Sequence, residues 1–248
     1  MSKEAEGNEI ACILFDLLQA SDRNTSSRDR HYVLNKAAEF ASRTTLSGIW
    51  IELGVFEGRS IPSLAKHAKE RGERCFGLDS FVGLPDPSVD GRNDWMTKRF
   101  DRQGALPSVP HNVELVVGWF EDTLPQVLQP VSPIVLLHVD SDIYSSCAYA
   151  LNYCTRVGAI TCGTVIVFDE LMHYDSFERN EILALLEWKE VWKVEFTWIA
   201  VKNKVLQYDE FEQNTARLKN YRRLRAEGYD QSAALVVDYI GKGIENPR

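Results

Sequence analysis

Apolar and polar positions follow two periods along this chain, one typical of amphipathic helices and one typical of buried strands. Residues 9–20 place apolar side chains at every third or fourth position, which predicts a helix. Short runs rich in β-branched residues predict strands. The other elements predicted in this way are strands at 49–51, 74–79, 113–117, 134–139 and 164–168, and helices at 28–42, 61–71, 144–157 and 176–189. Strands that alternate with helices indicate an α/β fold with a doubly wound, parallel sheet.

The pattern after the last of these helices is different. Residues 194–201 and 204–208 alternate like two strands around a polar Lys-Asn pair, which predicts a hairpin. Residues 211–227 predict one charged helix. Residues 233–240 are apolar, but their pattern does not distinguish a helix from a strand.

Length and pattern together predict three regions. A chain of 248 residues can form one large α/β domain with additions, or two small domains. We predict an N-terminal helical cap at 1–48, a cofactor-binding domain at 49–208, and a C-terminal helical extension of the same domain at 209–248. The cap could shape a substrate pocket, form a dimer contact or cover the core. Residues 85–111 form a long irregular segment, and apolar side chains such as Trp95 favour a lid.

Composition argues against two classes of protein. A formal net charge of -8, without a strong basic stripe, argues against nucleic-acid binding. No apolar run is long enough to span a membrane, and the N-terminus carries acidic residues instead of a signal peptide. We therefore expect a cytoplasmic protein, and homo-oligomerisation is open. Free thiols are expected for the five cysteines, which lack C-x-x-C spacing: Cys12, Cys75, Cys147, Cys154 and Cys162.

The stretch from Ile49 to Ser60 combines an apolar strand, a turn with two glycines and the start of a helix. Such a stretch predicts a nucleotide cradle, because backbone N–H groups at a helix N-terminus point at the ligand. Ser60 is a favourable N-cap, and Gly54 and Gly58 would let a ligand approach the backbone closely. A dinucleotide fingerprint would place a glycine where Glu52 stands.

The carboxylate of Glu52 narrows the choice of ligand. A negative charge at the strand end repels a pyrophosphate, which disfavours an NAD-dependent oxidoreductase, and it suits a cationic ligand. S-adenosylmethionine fits, because its ammonium and sulfonium groups are positive and it carries no phosphate. An ordinary strand-to-helix turn without a ligand is the alternative interpretation.

Two further segments could complete the cofactor site. Asp79 ends the second predicted strand, where an acidic residue binds the ribose diol of a nucleotide. Its carboxylate could accept a hydrogen bond from both hydroxyls. Gly118, Trp119 and Phe120 follow the third strand, and an aromatic ring there could line an adenine pocket or belong to the core.

Acidic residues follow two consecutive predicted strands. Asp140 and Asp142 come after the fourth strand, and Asp169 and Glu170 after the fifth. The carboxyl ends of neighbouring parallel strands meet at one edge of the sheet, so these side chains should cluster beside the cofactor crevice. Like charges so close need a cation between them, and oxygen ligands favour Mg²⁺, Mn²⁺ or Ca²⁺ over Zn²⁺. Helix capping and a solvated turn are the alternative roles.

Two histidines lie near this cluster in the sequence. His138 shares a strand face with Asp140, and His173 follows the acidic pair after the fifth predicted strand. Either could support a metal ligand or accept a proton, and either could be a structural residue.

The chain resembles the class I S-adenosylmethionine-dependent methyltransferases, and within them the macrocin O-methyltransferase family. The matching motifs are Glu52-Leu-Gly-Val-Phe-Glu-Gly58, Asp79-Ser-Phe-Val-Gly-Leu-Pro85, Gly118-Trp-Phe-Glu-Asp-Thr-Leu-Pro125, His138-Val-Asp-Ser-Asp-Ile-Tyr-Ser-Ser146 and Val167-Phe-Asp-Glu170. The resemblance implies a Rossmann-like seven-stranded sheet with its last strand antiparallel. Family members tend to carry Asp-Gly-Asp and Asp-Asp where this chain has Asp140-Ser-Asp142 and Asp169-Glu170.

The sequence pattern and the resemblance together predict roles for individual residues. S-adenosylmethionine would be bound by Glu52, Gly54, Phe56, Gly58, Ser60, Asp79, Ser80, Gly118, Trp119, Phe120 and Asp140. A Mg²⁺ or Mn²⁺ ion would be held by Asp140, Asp169 and Glu170, and Asp140, Asp142 or His173 would take part in catalysis.

The predicted reaction is methyl transfer to a hydroxyl of a small molecule, with a sugar of a natural product as the first choice of acceptor. A bound metal would lower the pKa of that hydroxyl, and a carboxylate would accept its proton. A catechol or other phenol is the alternative acceptor. A non-catalytic protein that binds S-adenosylmethionine is the alternative class.

Overall fold

One sheet of seven strands organises the part of the chain that this computed structural model describes, residues 3–21, 29–85 and 98–241. The strands are β1 Ile49–Leu53, β2 Arg74–Asp79, β3 Val113–Val117, β4 Ile134–Val139, β5 Val165–Phe168, β6 Val194–Asn203 and β7 Tyr229–Ile240. They lie in the order β3-β2-β1-β4-β5-β7-β6. Strands β1 to β5 are parallel, and β7 is antiparallel to both of its neighbours. The predicted seven-stranded α/β sheet with an antiparallel last strand is confirmed.

Helices cover both faces of this sheet. They are α1 Lys3–Ala20, α2 Tyr32–Ser42, α3 Ile61–Arg71, α4 Phe120–Val127, α5 Tyr144–Arg156, α6 Glu181–Trp192, α7 Tyr208–Gln213, α8 Thr215–Leu218 and α9 Tyr221–Ala226, with a 3₁₀ turn at Phe177–Arg179. Neighbouring side chains of β1 point to opposite faces. Ile51 packs in the cluster formed with α1, α4, α5 and α6, and Trp50 in the cluster formed with α2 and α3. The two helices of the predicted N-terminal cap therefore lie on opposite faces of the sheet.

The hairpin predicted around Lys202 is wrong. Residues 194–203 form one strand, β6, which pairs along its length with β7. Lys202 lies within this strand, and its ammonium is buried 3.1 Å from Oδ2 of Asp230. The polar pair that suggested an exposed turn is thus part of the sheet, because a carboxylate on the neighbouring strand neutralises the lysine.

The C-terminal region is only partly helical. The single helix predicted at 211–227 is divided into the short helices α7, α8 and α9. Residues 229–240 form β7, so the prediction of a helical extension over 209–248 is wrong for this segment. Most of β7 is buried between β5 and β6, which explains its unbroken apolar run.

The predicted lid at 85–111 lies partly outside the described residues, which omit 86–97 and with them Trp95. In the described part, the ring of Phe100 packs edge-on against Phe56, with ring centroids 5.5 Å apart. This segment therefore contacts the turn after β1.

Candidate active site

The carboxyl ends of β1, β2, β4 and β5 open into one cavity of about 710 Å³. Ligands of doubly wound sheets bind at this edge. The residues predicted for the site that line the cavity are Gly54, Phe56, Ser60, Asp79, Ser80, Gly118, Trp119, Phe120, Asp140, Asp142, Asp169 and Glu170. Three predicted residues lie outside its lining, namely Glu52, Gly58 and His173.

The two glycines of the turn after β1 are required by neighbouring protein atoms. Gly54 has a φ of +87°, and a Cβ there would lie 1.9 Å from the carbonyl oxygen of Asp140. Gly58 has a φ of +74°, and a Cβ there would lie 3.1 Å from Cγ1 of Val109. Both conformations favour glycine. The close approach at Gly54 is thus made by the backbone after β4, a reason that differs from the ligand approach expected from the sequence.

Asp79 holds the same turn in place. Its Oδ2 accepts hydrogen bonds from the backbone N–H groups of Val55 at 2.8 Å and Phe56 at 2.7 Å. Its Oδ1 accepts one from the N–H of Phe81 at 2.7 Å. A carboxylate has about four acceptor positions, so one remains, on Oδ1. Asp79 can therefore accept one ribose hydroxyl, in contrast to the two expected.

The end of β3 lies beside this carboxylate. The N–H of Gly118 donates to the backbone carbonyl of Asp79 at 3.0 Å, and Gly118 itself has a φ of +146°. Trp119 follows with 38% of its surface exposed, and Phe120 begins α4. A half-exposed aromatic ring at the cavity wall next to Asp79 is available for stacking.

Glu52 is buried in β1 and already has two protein partners. Its Oε1 accepts a hydrogen bond from the hydroxyl of Ser60 at 3.1 Å, and its Oε2 lies 2.9 Å from Nδ1 of His138. Ser60 stands at the N-cap position of α3 but makes no capping bond. Burial raises the pKa of Glu52, and the bond to His138 acts in the opposite direction. Glu52 therefore acts on the cavity through Ser60 and His138.

His138 carries a buried nitrogen that faces this cavity. It lines the cavity, it is 1% exposed, and within the described ranges its Nε2 has no hydrogen-bond partner. That nitrogen lies 4.0 Å from Oδ1 of Asp169. Burial alone would lower the pKa of His138, but the hydrogen bond and charge of Glu52 and the charge of Asp169 raise it. An unpaired buried polar atom is costly, so this position suits a ligand.

Carboxylates from the ends of β4 and β5 converge on the same wall. Burial raises the pKa of Asp140 well above its usual range, and the charges of Asp169, Asp142 and Glu170 raise it further. In the described parts of the chain, no three His, Cys, Asp or Glu side chains are close enough to hold one metal ion together. The cluster thus has oxygen donors and mutual repulsion, without a closed coordination shell.

Residues behind the cluster fix the backbone of the acidic pair. The hydroxyl of Ser232 on β7 donates to the carbonyl oxygen of Asp169 at 3.0 Å. The N–H of Glu170 donates to Oε2 of Glu181 at 3.2 Å, and Glu181 is fully buried at the start of α6. Burial raises the pKa of Glu181 well above its usual range, and the charge of Glu170 adds to this.

His173 does not line the cavity. Its Nδ1 bonds to the backbone carbonyl of Asp230, and its Nε2 accepts the N–H of Leu206 at 3.2 Å. Burial lowers the pKa of His173 to about 4, so the ring is neutral near neutral pH. Both nitrogens are occupied by backbone groups, and this placement argues against the catalytic role predicted for His173.

Several cavity residues were not predicted from the sequence. They come from the entry to α2, from the turn after β4, from the residue that follows α8, and from α9: Arg30, His31, Ser141, Lys219, Tyr221 and Arg225. Burial lowers the pKa of His31, Arg30 lowers it further, and the charge of Asp169 opposes both, so His31 lies near the end of β5. The basic residues from Lys219 to Arg225 are evident in the sequence, but the predicted helix at 211–227 did not show that they would reach the cavity.

The sheet order, the antiparallel β7 and the cavity at the strand ends define the fold of the class I methyltransferases. Residues 51–171 match the protein-family model described as a methyltransferase domain. The O-methyltransferase NovP has a similar structure, with 14% identity, a TM-score of 0.55, and coverage of 94% of this chain and 100% of that chain. The similarity to NovP shows the shared fold.

Two other solved structures match with lower TM-scores. CalS11, a TDP-rhamnose 3'-O-methyltransferase of calicheamicin biosynthesis, is 19% identical with a TM-score of 0.44, and covers 79% of this chain and 90% of that chain. Cofactor-bound Rv0187 from MTB is 18% identical with a TM-score of 0.46, and covers 93% and 89%. No curated protein matches the sequence. Among the described helices, none is long and apolar enough to cross a membrane.

Proposed function

We propose that this chain is an S-adenosylmethionine-dependent O-methyltransferase of the macrocin family, which acts in the cytoplasm. The acceptor is a hydroxyl of a small molecule, and a sugar of a natural product is the acceptor class to test first. The family-model match over 51–171 and the fold shared with an O-methyltransferase support the reaction class.

The proposal rests mainly on Asp140. This residue contacts the turn after β1 and also belongs to the carboxylate cluster at the ends of β4 and β5. Its carbonyl oxygen forms the wall behind Gly54, where the cofactor turn begins. Its carboxyl group is close enough to Asp142, Asp169 and Glu170 for their charges to raise its pKa. A donor over the turn and an acceptor beside the carboxylates would therefore be neighbours, as methyl transfer requires.

The cofactor would lie along the ends of β1, β2 and β3. In this arrangement its methionine end lies over Gly54 and Phe56, and one ribose hydroxyl bonds to Oδ1 of Asp79. Ser80 borders the ribose, and the adenine ring stacks near Trp119. Glu52 would support this site indirectly, because its carboxylate is bonded to Ser60 and His138.

The carboxylates fit a hard divalent cation in their chemistry. All donors are oxygens, and the repulsion that raises the pKa of Asp140 is relieved when a positive charge is bound. Asp140, Asp169 and Glu170 would hold Mg²⁺ or Mn²⁺, and because no three such side chains of the described residues are close enough to hold one ion together, they would have to move towards the ion when it binds. When bound, the ion would supply Lewis acidity that lowers the pKa of the acceptor hydroxyl.

The chain's own residues would position and deprotonate the acceptor. Asp142 lines the cavity beside Asp140, and either carboxylate could accept the hydroxyl proton on an oxygen atom. The unpaired Nε2 of His138 offers a further hydrogen bond to a bound hydroxyl. The 98–111 segment, which packs on Phe56 through Phe100, would limit access of water.

The direct test measures transfer of an isotope-labelled methyl group from S-adenosylmethionine to a panel of sugars and catechols, with and without EDTA. We expect label on a sugar hydroxyl, and EDTA should abolish transfer. Transfer to catechols alone would show that the acceptor is a phenol and not a sugar. Cofactor binding without transfer to any acceptor would favour a non-catalytic binding protein. Unchanged transfer in EDTA would show that the reaction does not require a divalent metal.

A further inference from the structure

The cavity has a second end that the cofactor does not need. It is lined by Arg30 and His31 before α2, by Tyr174 after β5, and by Lys219 and Arg225 of the C-terminal helices. In the sheet order this end lies over β5 and β7, whereas the cofactor turn lies over β1 and β2. An acceptor would occupy this end.

Three positively charged side chains at this end, Arg30, Lys219 and Arg225, have no acidic partner among the described residues. Within the described ranges, neither Arg30 nor Lys219 forms an ion pair, and Arg225 donates from Nη2 to the neutral Oε1 of Gln231 at 3.1 Å. By contrast, Arg59 on the cofactor side of the cavity lies 2.5 Å from a carboxylate oxygen of Glu57. The cations of the second end therefore keep their charge available in a protein whose net charge is -8.

Acidic side chains also line this part of the cavity. Asp169 and Glu170 follow β5 directly, and Asp175 lies further along the same segment. The charge of Asp169 and that of Arg30 both act on the pKa of His31, so a negative and a positive group both lie near this ring. The second end is thus positive at its rim and negative where the methyl group would be transferred.

Two of these cations, Arg30 and Arg225, are linked to the start of β7. The ammonium of Lys202 donates to the carbonyl oxygen of Asp29 at 2.9 Å and pairs with Asp230, which fixes the segment that carries Arg30. Gln231, the next residue of β7, fixes Arg225. Asp230 and Gln231 are consecutive on β7, so contacts to neighbouring residues of one strand hold the segment of Arg30 and the side chain of Arg225 at the same cavity.

We propose that Arg30, Lys219 and Arg225 form a subsite for an anionic group of the acceptor, a phosphate or a carboxylate. Guanidinium groups bind such planar or tetrahedral anions through paired hydrogen bonds, and the lysine adds a point charge. An anion held at the rim directs the rest of the acceptor towards Asp169 and Asp140. The subsite rests on the proposed function, because it assigns this end of the cavity to the acceptor.

The test titrates the full-length protein with pyrophosphate and, separately, with succinate by calorimetry, without divalent metal and with S-adenosylhomocysteine saturating the cofactor side. We expect one of the two probes to bind, and Arg30→Gln and Arg225→Gln each to weaken it about tenfold. Added salt should weaken binding further. Pyrophosphate binding identifies a phosphate-bearing acceptor, and succinate binding identifies a carboxylate-bearing one.

The matched control is Arg222→Gln, the same change at an exposed residue of α9 that does not line the cavity. It should bind the probe as the unmodified protein does. Arg30→Gln is independent of the Arg225 bond to Gln231, so a folding defect at Arg225 does not decide the result. The proposal is overturned when neither probe binds at millimolar concentration, or when all variants bind equally. Probe binding that needs both arginines, in a protein without methyl transfer, would retain the subsite and reject only the proposed reaction.

Discussion

The two ends of the cavity are built in different ways. The cofactor end is held by backbone atoms, since the carbonyl of Asp140 presses on Gly54 and the carboxylate of Asp79 collects three backbone N–H groups. The second end, which we propose binds the acceptor, includes exposed side chains such as Lys219, directly after the four-residue helix α8, and Arg225, in the six-residue helix α9. A backbone cradle serves one ligand that does not vary, whereas side chains on short helices can be exchanged without disturbing the sheet.

The largest effect should come from Gly54→Ala at the cofactor end. The new Cβ would lie 1.9 Å from a backbone oxygen, and φ is +87°. We expect a loss of about 4 kcal/mol in the free energy of unfolding, or failure to fold. Gly158→Ala is the control, with a φ of +79° and no atom within 4 Å of its Cβ, and it should cost about 1 kcal/mol. Equal losses in urea unfolding would show that the backbone contact is unimportant.

Asp169→Asn tests the chemistry between the two ends. This change keeps the side chain's size but removes a charge from the carboxylate cluster. We expect methyl transfer to fall by at least about 100-fold, while cofactor affinity stays within a few-fold. Asp140→Asn should behave in the same way. Normal turnover in either variant would contradict the proposed role of the cluster.

Stability should depend on pH through His173, which is buried between Asp230 of β7 and Leu206. The folded pKa of about 4 lies below the unfolded value near 6.5, so the folded state resists protonation. This contribution is complete above pH 6.5 and is lost as the pH falls towards 4, by about 3 kcal/mol in total.

Chemical denaturation between pH 7 and pH 5 checks this expectation. His173→Gln should unfold more easily at pH 7, because the bonds to Asp230 and Leu206 change, but its stability should fall less steeply with pH. The exposed His111→Gln variant serves as the control and should keep the slope of the unmodified protein. Parallel slopes in all three proteins would contradict the assignment.

A smaller effect is expected for Asp79→Ala at the cofactor end. The change removes the acceptor of the Val55, Phe56 and Phe81 N–H groups together with the remaining position for a ribose hydroxyl. We expect about tenfold weaker binding of S-adenosylhomocysteine by calorimetry and a stability loss of about 1 kcal/mol. Unchanged affinity would remove the ribose assignment.

The same contrast explains what could be predicted from the sequence. Strands β1 to β5 and helix α3 carry their own local patterns, and their positions followed from them. Helix α4 was missed because Pro125 lies inside it. Strand β7 was not recognised because its apolar run depends on partners that precede it in the chain, and the Lys202 pair looked like a turn until Asp230 was placed beside it.

At the site, the rule that parallel strand ends meet was enough to place Asp140 and Asp169 on one cavity wall. The hydrogen bond between Glu52 and His138 could not be predicted from the sequence, because it joins residues 86 positions apart and depends on the register of β1 against β4. The acceptor end was missed for a similar reason, since Arg30 and Arg225 are brought together only by their links to β7.

The position of β7 between β5 and β6 also affects how the chain is made. Six strands leave the ribosome before the one that must be inserted between two of them, so β5 and β6 each keep an open edge until residues 229–240 emerge. Open edges can pair with other chains, which makes late translation the stage at which this protein is most exposed to misassembly. A chain cut short before residue 229 would carry that exposure permanently.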